Sequence, residues 1–400
     1  MNVLFLTLLS MEDINERGIY TDLVRELAGR GINMYVVSPR EKRVNLPTEF
    51  TEQNNIKILK VRTGNITKTS FIEKGISTLK IEGQYLNAVK KYFAEVKFDM
   101  VMYSTPPITF EKVVNYFRKK HNCRTYLLLK DIFPQNAVDI EVIKKGGIIW
   151  RHFRNKEIRL YNMSDKIGCM SKGNVKYLLE HNTYIDKDKV EVFPNAIMPI
   201  DRMGIPDKNK GLLEKYNISK EATLFVYGGN LGKPQGIDFL LEVIENFHKV
   251  ENGHLLIVGS GTEYAKINQY IDELKPKNIS LYDKLPKAEY DGLLEITDVG
   301  LIFLDKRFTI PNFPSRLTSY MEYSLPVLAA TDINTDLKDV LKESGCGLHC
   351  ESGDINSFIE NARKLSLDES LRKQMGSKGR KYLEENYHIT KAVDRLIKYL

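Results

Sequence analysis

Apolar runs of strand length alternate with amphipathic stretches of helical spacing along almost the whole chain. In the first half, strands are predicted at 3–9, 34–38, 56–61, 99–105, 125–131, 166–171 and 190–196. Helices are predicted between them, at about 19–29, 71–96, 113–117 and 149–163. Because strands that alternate with helices pair in parallel, this half predicts a mostly parallel sheet covered on both faces.

The same alternation resumes after a polar segment, Met198 to Lys220, whose prolines, glycines and lysines predict a linker. Strands are predicted at 223–229, 255–261, 279–283, 299–305, 326–330 and 347–351, with helices at about 369–386 and 391–400 closing the chain. The chain therefore predicts two doubly wound α/β domains, at 1–200 and 201–385, and a final helix within 386–400. In such a fold, ligands bind outside the carboxyl ends of the strands, and the cleft between two domains is the expected site.

Composition agrees with two folded domains and excludes several classes of protein. A length of 400 residues exceeds one usual core, and 42% apolar with 28% charged residues is typical of folded chains. No run of about 18 apolar residues predicts a membrane span, and the first apolar run lacks the basic start of a signal peptide. The net charge of +7 suits an anionic ligand or an anionic membrane surface, and it is too small to indicate nucleic-acid binding.

The four cysteines favour structural thiols in a reduced cytoplasm over a metal site. They show no paired C-x-x-C spacing, and the nearby His349 adds only half of a zinc ligand set. We expect neither a metal nor a cofactor. We expect a cytoplasmic location, with peripheral attachment to the inner face of the cell membrane as the alternative.

The segment from Phe308 to Asp332 predicts an extended loop, a short helix and a buried strand. Pro311 keeps the front extended, Ser315 is placed to cap the helix, and Arg316 lies in its first turn. Amide groups, a hydroxyl and a guanidinium in one place suit a phosphate or diphosphate. An ordinary capped helix with an exposed arginine explains the same residues, and the segment alone leaves both interpretations open.

A glycine-rich segment, 227–236, follows a predicted strand and opens a helix. Its glycines allow close approach of a ligand to the backbone, and Lys233 supplies a cation. The order of residues is not that of a P-loop, and an ordinary strand–helix turn explains the segment equally well. A second segment, 258–263, resembles half of a dinucleotide fingerprint, and because the third glycine is missing we interpret it as a tight turn.

Two features of the first domain suggest a second binding region. The polar loop from Ser10 to Gly18 follows the first strand, where it either shapes a pocket or is simply solvated. Asp131 follows a buried strand, where ligands bind in such sheets, although turn or helix capping is the common alternative for aspartate.

One short stretch, 140–156, combines basic and aromatic residues. It contains Lys144, Lys145, Arg151, Arg154 and Lys156 together with Ile148, Ile149, Trp150 and Phe153. This mixture suits the surface of an anionic bilayer. A helix with an inward-facing tryptophan and solvated charges is the competing interpretation, and the sequence slightly favours it.

In order and spacing, five of these features resemble the retaining glycosyltransferases of family 4. They are the polar loop with Gly18, Pro194-Asn195, the 227–236 segment, the VGSGTE segment and PSRLTSYMEYSLPVLA. The resemblance covers the chain nearly end to end and is strongest to members that build capsules, O-antigens and exopolysaccharides. It implies a GT-B fold, in which two Rossmann-like domains face each other across a cleft. The first would bind the acceptor, the second the nucleotide sugar, and the final helix would return to the first.

The resemblance also implies roles for individual residues. It implies catalytic or phosphate-neutralising roles for Arg316 and Lys233 and an orienting role for Asp131. It implies donor contacts from Gly229, Asn230, Gln235, Ser315, Ser319, Glu322, Lys284 and Leu285. It implies acceptor contacts from Gly18 and Ser10. The partners would be a nucleotide-diphosphate sugar, with UDP the commonest carrier in the family, and a glycan or polyprenyl-diphosphate-linked acceptor.

The chain departs from the family pattern at several of these positions. Two glutamates usual in the family are replaced by Pro311 and Ser319, which leaves Ser319 or Glu322 to contact the ribose. The usual arginine and lysine of the glycine-rich segment fall on Asn230 and Gln235. A catalytically impaired glycosyltransferase-like subunit is therefore an alternative. Two further alternatives fit the sequence less well. A nucleotide-sugar epimerase would need a complete dinucleotide-binding fingerprint, which this sequence lacks. A periplasmic binding protein would need an export signal.

Overall fold

The computed structural model describes residues 1–66, 71–201, 210–216 and 218–399. The chain forms two units: unit 1 comprises Met1–Met198 and His388–Leu400, and unit 2 comprises Pro199–Tyr387. Residues 202–209 and 217, in the middle of the predicted linker, lie outside the described residues, as does the last residue of the predicted final helix.

In its described residues, unit 1 contains one eight-stranded sheet. Its strands are β1 (Asn2–Leu6), β2 (Asn33–Glu41), β3 (Glu49–Gln53), β4 (Ile56–Thr63), β5 (Met100–Ser104), β6 (Arg124–Leu129), β7 (Lys166–Cys169) and β8 (Val190–Val192). The spatial order is β3-β4-β2-β1-β5-β6-β7-β8, and β3 pairs antiparallel with β4 while the other neighbours are parallel. The strands β2 to β4 thus lie on one side of β1, and the strands β5 to β8 lie on the other side.

Helices cover this sheet. They are α1 (Ile19–Gly29), α2 (Phe71–Tyr92), α3 (Glu111–His121), α4 (Gln135–Asp139), α5 (Ile148–Met163) and α6 (Lys172–His181). Unit 2 contributes α7 (Lys210–Lys215), α8 (Ile237–Asn246), α9 (Tyr264–Leu274), α10 (Lys287–Ile296), α11 (Arg316–Glu322), α12 (Leu337–Ser344), α13 (Ile355–Leu367) and α14 (Glu369–Asn386). The last helix, α15 (Ile389–Ile397), belongs to unit 1. Short 3₁₀ turns occur at Lys42–Val44, Lys187–Lys189, Lys233–Gln235 and Phe247–Lys249.

The helix α15 completes the core of unit 1. Its apolar face is buried in one cluster with residues of β1, β2 and α1. Its polar side is tied to the same unit, because Asp394 pairs with Arg30 at 3.1 Å and Arg395 donates to the carbonyl of Val192. Residues far apart in sequence therefore share one core.

Unit 2 contains a six-stranded sheet that is parallel throughout its described residues. Its strands are β9 (Thr223–Asn230), β10 (Gly253–Ser260), β11 (Ile279–Tyr282), β12 (Val299–Phe303), β13 (Val327–Thr331) and β14 (Gly347–Glu351). The order is β11-β10-β9-β12-β13-β14. The winding direction reverses between β9 and β12, and the crevice beside such a reversal is where open α/β sheets bind ligands.

Three elements of unit 1 are absent from the sequence prediction: β3, α6 and the five-residue α4, which is too short to show helical spacing. The strand β3 is mostly polar and half exposed because it lies at the edge of the sheet, so it lacks a buried apolar face. The helix α6 is short, and its capping by the Ser171 side chain, which accepts from the Asn174 N–H at 3.2 Å, is the local signal that marks its start. The other strands are shorter or longer than predicted by a few residues at their ends.

Candidate functional site

The reversal point of the unit 2 sheet brings the glycine-rich segment and Arg316 together. The strand β9 ends at Asn230, and β12 ends at Phe303 beside it. The loop after β12 leads into α11, whose first residue is Arg316. Its guanidinium Nη2 donates to Oε1 of Gln235 at 3.1 Å. The structure therefore joins two segments that lie 81 residues apart in sequence.

The Arg316 guanidinium has an incomplete set of partners. Its Cζ lies 4.5 Å from the centroid of the Tyr227 ring, so a neutral aromatic face covers one side of the cation. Its Nη1 is buried and has no hydrogen-bond partner among the described residues. Arg316 also makes no ion pair with any of the described residues. Because a buried, unsatisfied donor is costly, this atom is a natural contact for an anionic ligand.

Tyrosine side chains surround this cation without neutralising it. Tyr320 donates its hydroxyl to the carbonyls of Val226 and Leu301, at 3.2 and 3.1 Å. Burial raises the pKa of Tyr320, and it raises the pKa of Tyr290 well above its usual range. Both phenols are therefore neutral near pH 7, and the charge of Arg316 remains available.

Gly229 allows the guanidinium to approach the end of β9. Its φ of +133° lies in a region that L side chains rarely adopt, and a Cβ at this position would lie 3.0 Å from Nη2 of Arg316. Any larger residue would strain the backbone and press against the guanidinium.

Lys233 and Asn230 face solvent beside this arrangement. Lys233 lies in a 3₁₀ turn, is exposed, and has no side-chain partner among the described residues. Asn230 is also exposed, and its main-chain carbonyl accepts from the Tyr227 hydroxyl at 2.7 Å. Both side chains are thus available to a ligand, while the backbone that carries them is held by Tyr227.

The structure corrects one expectation in the 308–332 segment. Ser315 does not cap α11 with its side chain, because its φ of −66° and ψ of −18° are already helical. Its carbonyl accepts instead from the Thr318 hydroxyl at 2.7 Å. The Ser315 side chain is exposed, so its predicted donor contact does not depend on capping.

The two candidates for the ribose contact differ in burial. Glu322 is 4% exposed, and its Oε1 accepts from the Ile200 N–H at 2.9 Å. Ser319 is partly exposed. Lys284 and Leu285 follow β11 at the sheet edge, where Lys284 is exposed and Leu285 packs against a core cluster of unit 2. The roles of these four residues stay predictions.

The glycines of the 258–263 segment lie in close packing. A Cβ on Gly259 would fall 1.9 Å from the Gly229 carbonyl oxygen, and one on Gly261 would fall 2.2 Å from that of Leu231. These glycines let β10 and the following turn lie directly against the end of β9, which agrees with the interpretation as a tight turn.

In unit 1, Asp131 lies just after the carboxyl end of β6. Both of its carboxylate oxygens lie 2.8 Å from Nδ2 of Asn136. Burial raises the pKa of Asp131 to about 6, against the lowering effects of the Ile132 N–H and Asn136. A carboxyl group of this pKa exchanges a proton close to neutral pH.

The neighbouring Lys130 is a candidate that sequence reasoning missed. Its Nζ donates to the carbonyls of Phe193 and Pro194, at 3.1 and 3.3 Å, and burial lowers the pKa of Lys130 to about 7. The available signal was a lysine at the end of an apolar strand together with the Pro194-Asn195 pair, but their proximity requires the fold.

The Ser10–Gly18 loop is held by the elements beside it. Lys60 donates to the Glu12 carbonyl at 3.0 Å, and the Gln53 amide contacts both Glu12 and Ile14. Ser10 is exposed. Gly18 has an extended φ of 173°, which any residue adopts, so its backbone does not require glycine. The predicted acceptor contacts of Ser10 and Gly18 stay predictions.

The described residues hold neither a cluster of metal ligands nor a membrane-spanning helix. Residues 1–66, 71–201, 210–216 and 218–399 contain no group of three or more His, Cys, Asp or Glu placed to hold a metal ion. Within the same ranges, no helix combines the length and the apolar character needed to span a bilayer. The four cysteines are buried and form no disulfide.

The architecture is that of the GT-B glycosyltransferases: two parallel-sheet α/β units. Residues 210–382, most of unit 2, match the family model described as "Glycosyl transferases group 1". The chain is 23% identical over 327 residues to the probable glycosyltransferase WbjE of Pseudomonas aeruginosa, covering 80% of this chain and 78% of that protein. It is also 23% identical over 188 residues to N-acetyl-alpha-D-glucosaminyl L-malate synthase of Bacillus anthracis, covering 46% of each.

Solved structures support the same fold. Sucrose-phosphate synthase from Thermosynechococcus elongatus superposes with a TM-score of 0.77 at 15% identity, covering 100% of this chain and 98% of that one. HepE from Anabaena, solved in complex with UDP, superposes with a TM-score of 0.70 at 12% identity, with both chains covered fully. The matched domain and the names of the relatives support a glycosyltransferase.

Proposed function

We propose that the protein is a retaining family 4 glycosyltransferase that transfers a sugar from a nucleotide-diphosphate donor, with UDP as the first candidate carrier. The acceptor is a glycan or a polyprenyl-diphosphate-linked saccharide in cell-surface polysaccharide synthesis, and the reaction takes place in the cytoplasm. The observation that carries this proposal is Arg316, whose buried Nη1 is unpaired and which has no carboxylate partner among the described residues.

The reaction needs positive charge where the leaving group forms. As the bond from the sugar C1 to the diphosphate oxygen breaks, negative charge grows on the diphosphate. Arg316 donates to it through Nη1, and Lys233 contributes a second cation. One preorganised donor of this kind typically contributes about 3 kcal/mol to transition-state stabilisation.

Retention of configuration follows from attack on the same face as the leaving group. The acceptor hydroxyl oxygen bonds to C1, and its proton passes to the departing diphosphate oxygen. No carboxylate nucleophile is required. In this scheme Asp131 orients the acceptor or the sugar, and the Ser10–Gly18 loop lines the acceptor side.

Nucleotide binding is tested by thermal shift with UDP, GDP and their sugars. A ligand at one hundred times its dissociation constant stabilises the folded state by about 2.7 kcal/mol, which raises the melting temperature measurably. Arg316→Ala is expected to remove most of the UDP shift and to lower turnover, measured as UDP release, by about 100-fold. The matched control Arg363→Ala removes a surface arginine paired with Glu251 and should leave both unchanged.

Two outcomes would contradict the proposal. One is the absence of any shift with nucleotides or their sugars in the wild-type protein. The other is a normal UDP shift and normal turnover in Arg316→Ala.

A catalytically impaired subunit is the second candidate, because the two positions where the family pattern has glutamate hold Pro311 and Ser319. Such a subunit would bind UDP with the same dependence on Arg316. It would release no UDP from a UDP-sugar, whether or not a lipid-linked acceptor is present, and that measurement separates the two candidates.

A further inference from the structure

Large apolar side chains are exposed at one edge of the unit 1 sheet. Val142 is 46% exposed, Ile148 is 88% exposed and Ile149 is 57% exposed. They follow the end of β6, and α5, which begins at Ile148, leads back to the start of β7. Since β6 and β7 are parallel, the first turn of α5 lies at the carboxyl edge of the sheet.

Cations without partners lie between these apolar side chains. Lys144, Lys145 and Arg151 are exposed, and none has a side-chain hydrogen bond or ion pair within the part of the chain that the structure describes. Residues 140–151 contain these three cations and a single carboxylate, Glu141. We name this set the α5 patch: Val142, Lys144, Lys145, Ile148, Ile149 and Arg151.

The remainder of α5 is anchored to unit 1. The Phe153 ring lies 5.0 Å from the Phe133 ring, and Nη2 of Arg154 donates to Oδ1 of Asn182 at 2.6 Å. The exposed residues of the first turn are therefore additional to the packed face, and their replacement leaves the core contacts intact.

A second group of the same character lies at this edge. The loop after β2 exposes Val44 by 48% and Leu46 by 46%, next to the exposed Lys42. The strands β2 and β6 are separated by β1 and β5, so their ends lie about 14 Å apart, which is three strand spacings.

We propose that the α5 patch docks on the surface of an anionic lipid bilayer. Ile148 and Ile149 enter the boundary between head groups and acyl chains, while the three cations contact lipid phosphates. Charge complementarity selects this occupant, because the patch is apolar and cationic together. The proposal deepens the proposed function and rests on it for one point only: a bilayer at this edge would present a lipid-linked acceptor beside Asp131.

Docking is tested by flotation with vesicles of phosphatidylcholine, alone or mixed with phosphatidylglycerol. The wild-type protein is expected to float with the mixed vesicles and to be released by high salt. Ile148→Asn with Ile149→Asn should lower binding at least roughly tenfold. Lys144→Ala with Lys145→Ala should remove most of the preference for phosphatidylglycerol, since each lysine near the surface contributes about 1 kcal/mol.

Matched controls lie elsewhere on the chain. Leu274→Asn with Leu367→Asn replaces exposed apolar residues of unit 2, and Lys97→Ala with Lys119→Ala removes exposed lysines at the opposite edge of the unit 1 sheet. Both pairs should float like the wild type. Melting temperatures identify any variant that fails to fold, and the lysine pair then tests the proposal independently.

Wild-type protein that does not float with the mixed vesicles overturns the proposal, and so does undiminished flotation of the isoleucine variant. The docking proposal is also overturned if light scattering shows that the wild type is a dimer and the isoleucine variant is a monomer. The α5 patch would then be an interface between two copies of the protein. The UDP thermal shift, measured on the same samples, reports on the proposed function separately. If the protein floats with vesicles but its melting temperature does not change with UDP, the proposed glycosyltransferase mechanism is contradicted while the proposed docking of the α5 patch is supported.

Discussion

The role proposed for Arg316 depends on the surroundings of its guanidinium. It is packed against Tyr227 and Gln235, and its Nη1 remains unsatisfied among the described residues. The positions where the family pattern has an arginine and a lysine hold Asn230 and Gln235. The structure places the guanidinium of α11 directly on the second of these positions, so the cation is supplied from another element.

The surroundings of Gly229 predict that adding a Cβ at this position lowers the stability of the fold. Gly229→Ala should destabilise the fold by about 1–2 kcal/mol, because φ is +133° and the new Cβ would lie 3.0 Å from Nη2 of Arg316. UDP binding should weaken in parallel. Gly83→Ala, in the middle of α2 with no atom within 4 Å of its Cβ, is the control and should stabilise by about 0.5–1 kcal/mol. Chemical denaturation measures both, and equal effects of the two variants would contradict the prediction.

The raised pKa of Asp131, about 6, predicts a pH dependence of stability. Between about pH 4 and pH 6 the unfolded chain has released this proton while the folded chain retains it, so stability falls as pH rises. Because Asp131 is only partly buried, we expect a decline of about 1–2 kcal/mol relative to Asp131→Asn between pH 4 and pH 6.5. Denaturation curves of both proteins at several pH values measure this difference, and a constant difference would refute the prediction.

At the scale of elements, buried cationic side chains hold the Ser10–Gly18 loop in place after β1. Arg40 and Lys60 are 3% and 5% exposed, and both contact the Glu12 carboxylate, at 2.9 and 3.0 Å. The hydrogen bond from Arg40, together with Lys60, lowers the pKa of Glu12 against the effect of burial. The loop that carries Ser10 and Gly18 is thus positioned by side chains of β2 and β4.

Removal of the Glu12 charge should loosen this loop. Glu12→Gln leaves two buried cations with one carboxylate, Glu49, and should cost about 1–3 kcal/mol of stability. Limited proteolysis should then cleave within residues 8–18. Glu16→Gln, in the same loop and without a side-chain partner among the described residues, is the matched control. If cleavage is as slow in Glu12→Gln as in the control, the fastening role is wrong.

Periodicity predicted the positions of the helices and strands more closely than it predicted the arrangement of the candidate site. Most buried strands and long helices lie within a few residues of their predicted positions, because apolar spacing reports directly which face is buried. The edge strand β3 escaped this reasoning because its polar residues bury no face. The predicted capping role of Ser315 was wrong because this residue, which precedes α11, already has helical φ and ψ and makes no capping hydrogen bond with its side chain.

At the scale of the whole molecule, each unit is an α/β sheet, parallel except for β3 of unit 1, whose winding reverses once, at β1/β5 in unit 1 and at β9/β12 in unit 2. In unit 2 the reversal places the glycine-rich segment beside α11. In unit 1 it places the Ser10–Gly18 loop beside the loop that follows β5. The common geometry explains why the candidate residues of each unit follow the carboxyl ends of strands.

Metal independence is a prediction for the complete enzyme. In the proposed mechanism, Arg316 and Lys233 supply the positive charge that a divalent cation supplies in other nucleotide-sugar enzymes, so turnover should be unchanged in EDTA. UDP release from the donor with acceptor, with and without EDTA, measures this. Loss of activity that Mn²⁺ restores would contradict it.

The sequence alone determined the parallel α/β class, the alternation of elements and the segments that carry candidate ligand contacts, because these depend on local spacing and on turn residues. Only the tertiary structure decided which of those residues meet. The pairing of Arg316 with Gln235 and the burial of Lys130 against Phe193 join residues distant in sequence. The inclusion of α15 in unit 1 does so too, and the sequence led to that expectation only through the family resemblance. Such contacts depend on strand order and packing, which local periodicity does not encode.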